Sequence, residues 1–267
     1  MTAPHLLSIE VTNRCGKACW FCYNHSAPGG ETVWAPEELV AFVEDCAAHG
    51  LKAVSLGGGE PLQYPPLFDV LGALRGRLFR SLTTNGLPLD RDPALWDRLA
   101  EAAPEKVHVS VHFPERPDEV ARVIAQVHRL QSLGIRSGVN LVASRANLAA
   151  AEAAADRLRQ SGIGNDRIVY LPMRVRDTPT PRDMARVAGQ PPGGRFQSMS
   201  CLLTCGKSPR FASIAWDKTA AWCSYTQARR ALPTLDFAGL TEALADLPVV
   251  FCGGTKDPAP PVPTTLS

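Results

Sequence analysis

The chain has no apolar run approaching the ~18 residues that a membrane span requires. It has no surplus of charge either. Its 28 basic and 26 acidic residues leave a formal +2, so no basic face is implied, and neither nucleic acid nor a membrane is expected as a partner. The first residues, MTAPHLLSIE, lack the charged start and long apolar stretch of a signal peptide. A cytoplasmic, reducing location is therefore the expectation, and there the eight cysteines are expected as ligands or buried thiols rather than disulfides. With 267 residues, 45% of them apolar, the chain buries enough core to stand without such staples.

A narrower absence is more informative. Cys15, Cys19 and Cys22 form C-x3-C-x2-C within R-C-G-K-A-C-W-F-C-Y-N, and no fourth cysteine follows until Cys46. Three thiols are one short of the four that close a structural zinc site or an ordinary iron–sulfur cluster. The residues themselves allow a zinc loop completed by a distant ligand such as His25. They also allow an iron–sulfur cluster with one iron left open, and an open coordination position is what separates a catalytic metal site from a structural one.

Between residues 7 and 173, strand-like and helix-like runs alternate. Six strand candidates, at 7–11, 52–56, 78–84, 106–112, 135–142 and 167–173, are rich in Val, Ile and Leu, and most are bounded by Gly, Pro or Asn. Helices are predicted at roughly 36–49, 65–76, 91–103, 117–133 and 146–161. The α/β alternation implies a parallel sheet covered by helices, read as a six-stranded open barrel, a partial (β/α)6, with a doubly wound sheet as the other possibility. In either case reactive groups collect at the C-terminal ends of the strands, where the cysteine loop lies. Residues 174–195, rich in Arg, Pro and Gly, read as a linker or loop closing a core domain of 1–195. Residues 196–253 form a small cysteine-bearing module, and 254–267 an extended tail.

C-x3-C-x2-C after a first strand, with an aromatic before the third cysteine, resembles the radical S-adenosylmethionine (SAM) enzymes. Two further segments match that family in order: L-G-G-G-E-P-L at 56–62 after the second strand, and T-T-N-G at 83–86 after the third. The resemblance covers residues 6 to about 173. It implies that Cys15, Cys19 and Cys22 hold three irons of a [4Fe-4S] cluster, and that SAM chelates the fourth through its amino and carboxylate groups. It places Gly58, Gly59, Glu60 and Pro61 at the methionine end of SAM. There glycines let the backbone come close, and a carboxylate accepts from an ammonium. Phe21 matches the residue lying against adenine, and Thr83 and Asn85 belong to the third-strand pattern. Ser110 and Asn140 stand where relatives contact the ribose or carboxylate, although Ser and Asn there also close turns or satisfy backbone groups. His112 and Arg174, at the ends of the fourth and sixth strands, are cavity candidates with no assigned role.

The remaining cysteines divide unevenly. Cys46 sits on the apolar face of its helix, where a lone thiol is packing. Cys201, Cys205, Cys223 and Cys252 make C-x3-C-x17-C-x28-C, the right number to close a second cluster. A hairpin over 211–223, turning at Asp217-Lys218, resembles the auxiliary-cluster region called twitch, or in its larger form SPASM. A second [4Fe-4S] is expected there, with an all-sulfur zinc site as the alternative. The resemblance implies reductive cleavage of SAM to a 5′-deoxyadenosyl radical, which abstracts hydrogen from a substrate C–H bond. The expected reaction is a net oxidation or modification of a small molecule by an oxidoreductase that takes electrons from a flavodoxin- or ferredoxin-type reductant. A ribosomal peptide, crosslinked or epimerised, is the alternative substrate. A non-catalytic iron–sulfur carrier and a zinc-stabilised binding protein are the readings of another class.

Overall fold

The computed structural model describes residues 4–174, 177–191, 193–196, 208 and 210–249. Six strands come in order: β1 (Leu6–Glu10), β2 (Ala53–Gly57), β3 (Phe79–Thr84), β4 (Lys106–Val111), β5 (Arg136–Ala143) and β6 (Ile168–Pro172). Between them run α1 (Pro36–Ala48), α2 (Leu67–Ala73), α3 (Leu87–Arg91), α4 (Ala94–Ala102), α5 (Pro117–Ser132) and α6 (Leu148–Gln160). After β6 come α7 (Pro181–Val187), β7 (Phe211–Ile214), β8 (Thr219–Ala221), β9 (Arg230–Ala231) and α8 (Phe237–Leu244). All strands pair in one sheet of order β6-β5-β4-β3-β2-β1-β7-β8-β9. The first six are parallel to their neighbours, so the α/β fold is the expected open, partial barrel.

Each helix forms where local signals agree with burial. Pro36 opens α1 with Glu37 and Glu38 in its first turn, and Leu39, Phe42, Val43 and Cys46 form its buried stripe. In α5 the buried stripe includes Val120, Val123, Val127 and Leu130, which share one core with Val107, Val109 and Val111 of β4. The chain leaves α5 through Gly134 at φ 76°, a left-handed turn that a side chain would strain. Among the described residues, no helix is long and apolar enough to cross a membrane.

Three details depart from the sequence reading. The helix expected over 91–103 is α4, and a short helix that was not expected, α3, precedes it, the two separated at Asp92 and Pro93. The segment read as a linker contains α7. Thr180 caps it by accepting from the Asp183 backbone N–H at 3.1 Å while Asp183 accepts from Thr180 N at 2.9 Å. Its Met184, Ala185 and Val187 are buried. The third detail concerns the C-terminal hairpin, which forms as expected between β7 and β8. It is continuous with the core, because β7 pairs parallel with β1 from Leu6↔Phe211 to Ile9↔Ile214.

Behind the sheet one ion cluster ties three elements. The Arg80 side chain, 1% exposed, donates to the carbonyls of Leu71 (2.5 Å), Ala102 (3.1 Å) and Ala103 (2.7 Å), and to both carboxylate oxygens of Glu105. It thereby satisfies the C-terminal carbonyls of α2 and α4, which would otherwise be orphaned. Replacing Arg80 with Met removes every donor at once and leaves those acceptors buried. A loss of about 3–5 kcal/mol is expected, read as a lower denaturation midpoint at unchanged m-value; an unchanged midpoint would contradict the role given to Arg80.

Candidate active site

The strands carry small or polar residues on the face opposite the helices. Ser8 pairs in register with Ser55 and with Ser213, and Ser55 with Ser81. Thr83 pairs with His108, and Ser110 with Asn140. Strands buried on both faces read as continuous apolar runs; here a period of two puts hydroxyls, imidazoles and amides on one side. That side faces a cavity of about 520 Å³ at the C-terminal ends of the strands.

Cys15, Cys19 and Cys22 all line this cavity, as do Phe21, Gly58, Gly59, Thr83, Asn85, Ser110, His112, Asn140 and Arg174. The cysteine loop is held by backbone bonds: Cys15 N to Ala27 O at 2.9 Å, Asn13 N to Glu31 O at 2.8 Å, and Cys22 N to Cys19 O at 3.0 Å. The glycine segment packs straight onto it. Gly59 N donates to Thr12 O at 2.7 Å and Glu60 N to Arg14 O at 2.8 Å. A Cβ on Gly59 would lie 2.2 Å from Arg14 O, and one on Gly58, itself at φ +120°, 2.5 Å from Thr12 O. These two glycines are required first by contact between loops. Gly57 differs: it lines the cavity, and a Cβ there meets no protein atom within 4 Å. It leaves room for a ligand.

Glu60 and Pro61 stand behind the wall, not among the lining residues. The carboxylate expected to meet an ammonium is fully buried and accepts from Leu62 N (3.1 Å), Thr84 Oγ1 (2.7 Å) and Asn85 N (2.8 Å). It locks the turn after β2 to the end of β3. Asn85, so positioned, points its Nδ2 at Cys15 Sγ, 3.6 Å away. Phe21 packs its ring against Phe113, centroids 5.5 Å apart, and beside His112 at 6.1 Å. Trp20 is 63% exposed.

Several site residues escaped the sequence reading. The Lys17 ammonium lies 2.7 Å from Glu119, both side chains nearly buried, and the same Glu119 oxygen accepts from His112 N at 2.7 Å. Thus α5 fixes the strand end that carries His112. His108 shares a 2.8 Å hydrogen bond with Asn140. Burial pushes His108 down to about 4 and His112 to about 3, so both imidazoles are neutral near pH 7. Tyr23 and Tyr225, from the cysteine loop and the hairpin module, meet with ring centroids 5.0 Å apart. The period-two polar pattern was the signal that could have found His108; nothing local in the sequence marks the tyrosine pair.

The three thiols suit a cluster. Burial pushes Cys19 up to about 12 and raises Cys15, so an electron-poor metal is what would hold them as thiolates. Among the described residues, no three His, Cys, Asp or Glu side chains converge on a point for a single ion; ligands to separate irons of one cluster stand farther apart. Cys223 is a free thiol at the end of the hairpin, while Cys201, Cys205 and Cys252 lie outside the described residues.

An open α/β barrel whose mouth carries three cysteines and a ligand-sized space defines a cluster-dependent enzyme class. A model of the Radical SAM superfamily matches residues 9–179, and the chain belongs to that superfamily of enzymes, whose members hold a [4Fe-4S] cluster and SAM. Curated relatives include the probable GTP 3',8-cyclase of Pyrococcus horikoshii, 31% identical over 111 residues, or 41% of this chain and 35% of that protein. The GTP 3',8-cyclase of Campylobacter fetus is 28% identical over 151 residues, 51% of this chain and 46% of that protein. The match thus spans a third to a half of the relatives' length. Among solved structures, Streptococcus suis SuiB bound to its precursor peptide SuiA superposes with a TM-score of 0.66 at 16% identity, covering 84% of this chain and 60% of that one. Native anSMEcpe with bound AdoMet gives 0.62 at 13% identity, covering 90% and 83%. At such identities the fold alone is shared.

Two outcomes follow from the glycine clamp. Gly59→Ala forces the cysteine loop off its seat, and iron retention after reconstitution is expected to weaken on the order of tenfold or more with the far-ultraviolet spectrum unchanged. Burial pushes the Glu60 carboxyl up to about 7 against its three donors. The folded protein then keeps a proton that the unfolded chain releases at its ordinary value of 4.5, so this contribution to stability falls as pH rises from about 4.5 to about 7. Denaturant titrations across that window are expected to show the decline, and Glu60→Gln to flatten it.

Proposed function

We propose that the chain reductively cleaves S-adenosylmethionine and uses the resulting radical to modify a small molecule, most simply by net oxidation. The carrying observation is that one cavity is lined at once by Cys15, Cys19 and Cys22 and by the open face of Gly57 with Thr83, Asn85, Ser110 and Asn140. When bound, the cluster supplies the electron that breaks SAM into methionine and a 5′-deoxyadenosyl radical, which takes hydrogen from a substrate C–H bond. The protein's own residues do the rest. Gly57–Gly59 and Asn85 shape the methionine end, Ser110 and Asn140 offer polar atoms to the ribose or carboxylate, and Phe21 with neutral His112 forms the adenine wall. Val142, Leu171, Pro172 and Met173 give the cavity an apolar wall that excludes water from the radical's path.

The size of the cavity supports a small molecule. Single drug-sized ligands fill pockets of roughly 300–1,000 Å³, and about 520 Å³ must hold SAM together with the reacting part of the substrate. The relatives named for GTP also act on a small molecule, whereas SuiB, with its precursor peptide, shares only the fold. A second [4Fe-4S] on Cys201, Cys205, Cys223 and Cys252 belongs to the same proposal. It is supported by the position of Cys223, one residue before Ser224 and Tyr225 of the cavity wall, from which an electron could pass out of the substrate radical. A cytoplasmic site and a flavodoxin- or ferredoxin-type donor complete the reading.

The test compares anaerobically reconstituted wild type with the Cys15→Ala/Cys19→Ala/Cys22→Ala variant. With dithionite and SAM, wild type is expected to form 5′-deoxyadenosine and the variant none, while the variant keeps about four irons on the C-terminal cysteines. A variant without iron removes the second cluster. A wild type that holds iron but never cleaves SAM, with candidate substrates present, removes the radical function.

A further inference from the structure

Arg174 is an exception among the buried and half-buried arginines compared with it. Arg80 spends its nitrogens on three carbonyls and Glu105, and Arg229 on Thr219 and Ser213. Arg167 donates to Ser137 and Gln131. The Arg174 Nε and Nη1 are buried with no hydrogen-bond partner among the described residues, although a guanidinium taken out of water without an acceptor is costly. Its side chain lines the cavity, and the guanidinium carbon lies 5.9 Å from the centre of the Tyr225 ring, close enough for a cation–π contact that holds its plane.

The place of this contact matters. Arg174 follows β6, at one edge of the sheet, and Tyr225 follows β8, near the other edge. The two meet across the open seam of the barrel, over the cavity. Charge points the same way. Among the described lining residues there is no Asp or Glu, and the other lining cation, Lys17, is already paired with Glu119 at 2.7 Å. Ser224 and Gln227, from the same loop as Tyr225, add neutral hydrogen-bonding groups to that side of the cavity.

We infer that the seam is a recognition site for an oxyanion on the substrate, a phosphate or a carboxylate, with Arg174 as the charged anchor steadied by Tyr225. This rests on the proposed radical function for the cavity and adds the substrate class: an anionic small molecule. A planar guanidinium whose Nε and Nη1 have no partner among the described residues offers charged, directed donors that suit either oxyanion, and docking by the anion leaves the neutral remainder of the substrate directed into the cavity.

The test uses full-length, cluster-reconstituted protein with SAM present. Calorimetric titration with inorganic pyrophosphate, and separately with glutarate, is made on wild type, Arg174→Lys and Arg174→Met, with melting temperature recorded for each. Wild type is expected to bind one probe, which assigns phosphate or carboxylate. Arg174→Met is expected to bind it roughly tenfold to a hundredfold more weakly, and Arg174→Lys to lose less. If the methionine variant does not fold, Arg174→Gln replaces it in the same comparison. The change that SAM produces in the reduced-cluster resonance spectrum is expected to persist in the variants. Equal affinity in wild type and Arg174→Met means an adventitious ion only and overturns the proposal. So does a wild type that cleaves SAM yet binds neither probe. Loss of the SAM-induced spectral change in Arg174→Met also overturns it, since the guanidinium would then serve the carboxylate of SAM. A wild type that cleaves no SAM but still binds the probe through Arg174 leaves the oxyanion site standing and removes the radical function instead.

Discussion

The site depends on one close approach, the backbone of Gly58 and Gly59 laid against the backbone of Thr12 to Arg14. Two hydrogen bonds at 2.7 and 2.8 Å cross this contact, and there is no room in it for a methyl group. Through it the loop after β2 sets the height of the cysteine loop after β1. Glu60, the next residue, carries the constraint to β3 by accepting from Thr84 and Asn85, and Asn85 returns it to Cys15. Three consecutive strand ends are thereby fixed to one another before any ligand binds, as a site that must present three thiolates in one geometry requires.

Much of the fold was legible because each unit repeats its own punctuation. β-branched runs of five to eight residues, prolines at helix starts and glycines after helix ends mark the six β-α units, and the alternation left few topologies to consider. The parallel pairing of β7 with β1 was not legible. F-A-S-I-A-W announces a strand and a turn, but nothing in it names a partner about two hundred positions earlier. Helix α7 was missed for a different reason: the prolines and glycines around it outweighed the Thr180–Asp183 capping signal, although Pro181 stands at the first helical position, where proline is favoured.

In the site, cysteines were legible from spacing because metal chemistry restricts both residue type and separation. Glu60 was recognised as important from its motif; that its carboxyl also accepts from three protein donors and ties β2 to β3 was not legible. The cavity wall of Ser110 and Asn140, with His108 hydrogen-bonded to Asn140, was half legible. Polar residues alternating with valine on β4 contradict the pattern of a doubly buried parallel strand, and that contradiction marks the inner face as one built to meet something other than protein. Arg174 was marked in the sequence only by its place at a strand end; its nitrogens, without a partner among the described residues, distinguish it in three dimensions.

The pairing of β7 with β1 has a consequence for the chain as it is made. β1 precedes the other described strands and finds β2 within some fifty residues, yet its other edge remains bare until residues 211–214 have been synthesised. For that interval the apolar sequence LLSIE exposes a ladder of unpaired amides and carbonyls, the kind of edge to which strands from other chains can add. The nascent chain therefore carries an open strand edge while the roughly two hundred intervening residues are made, and closes it only when β7 pairs with β1.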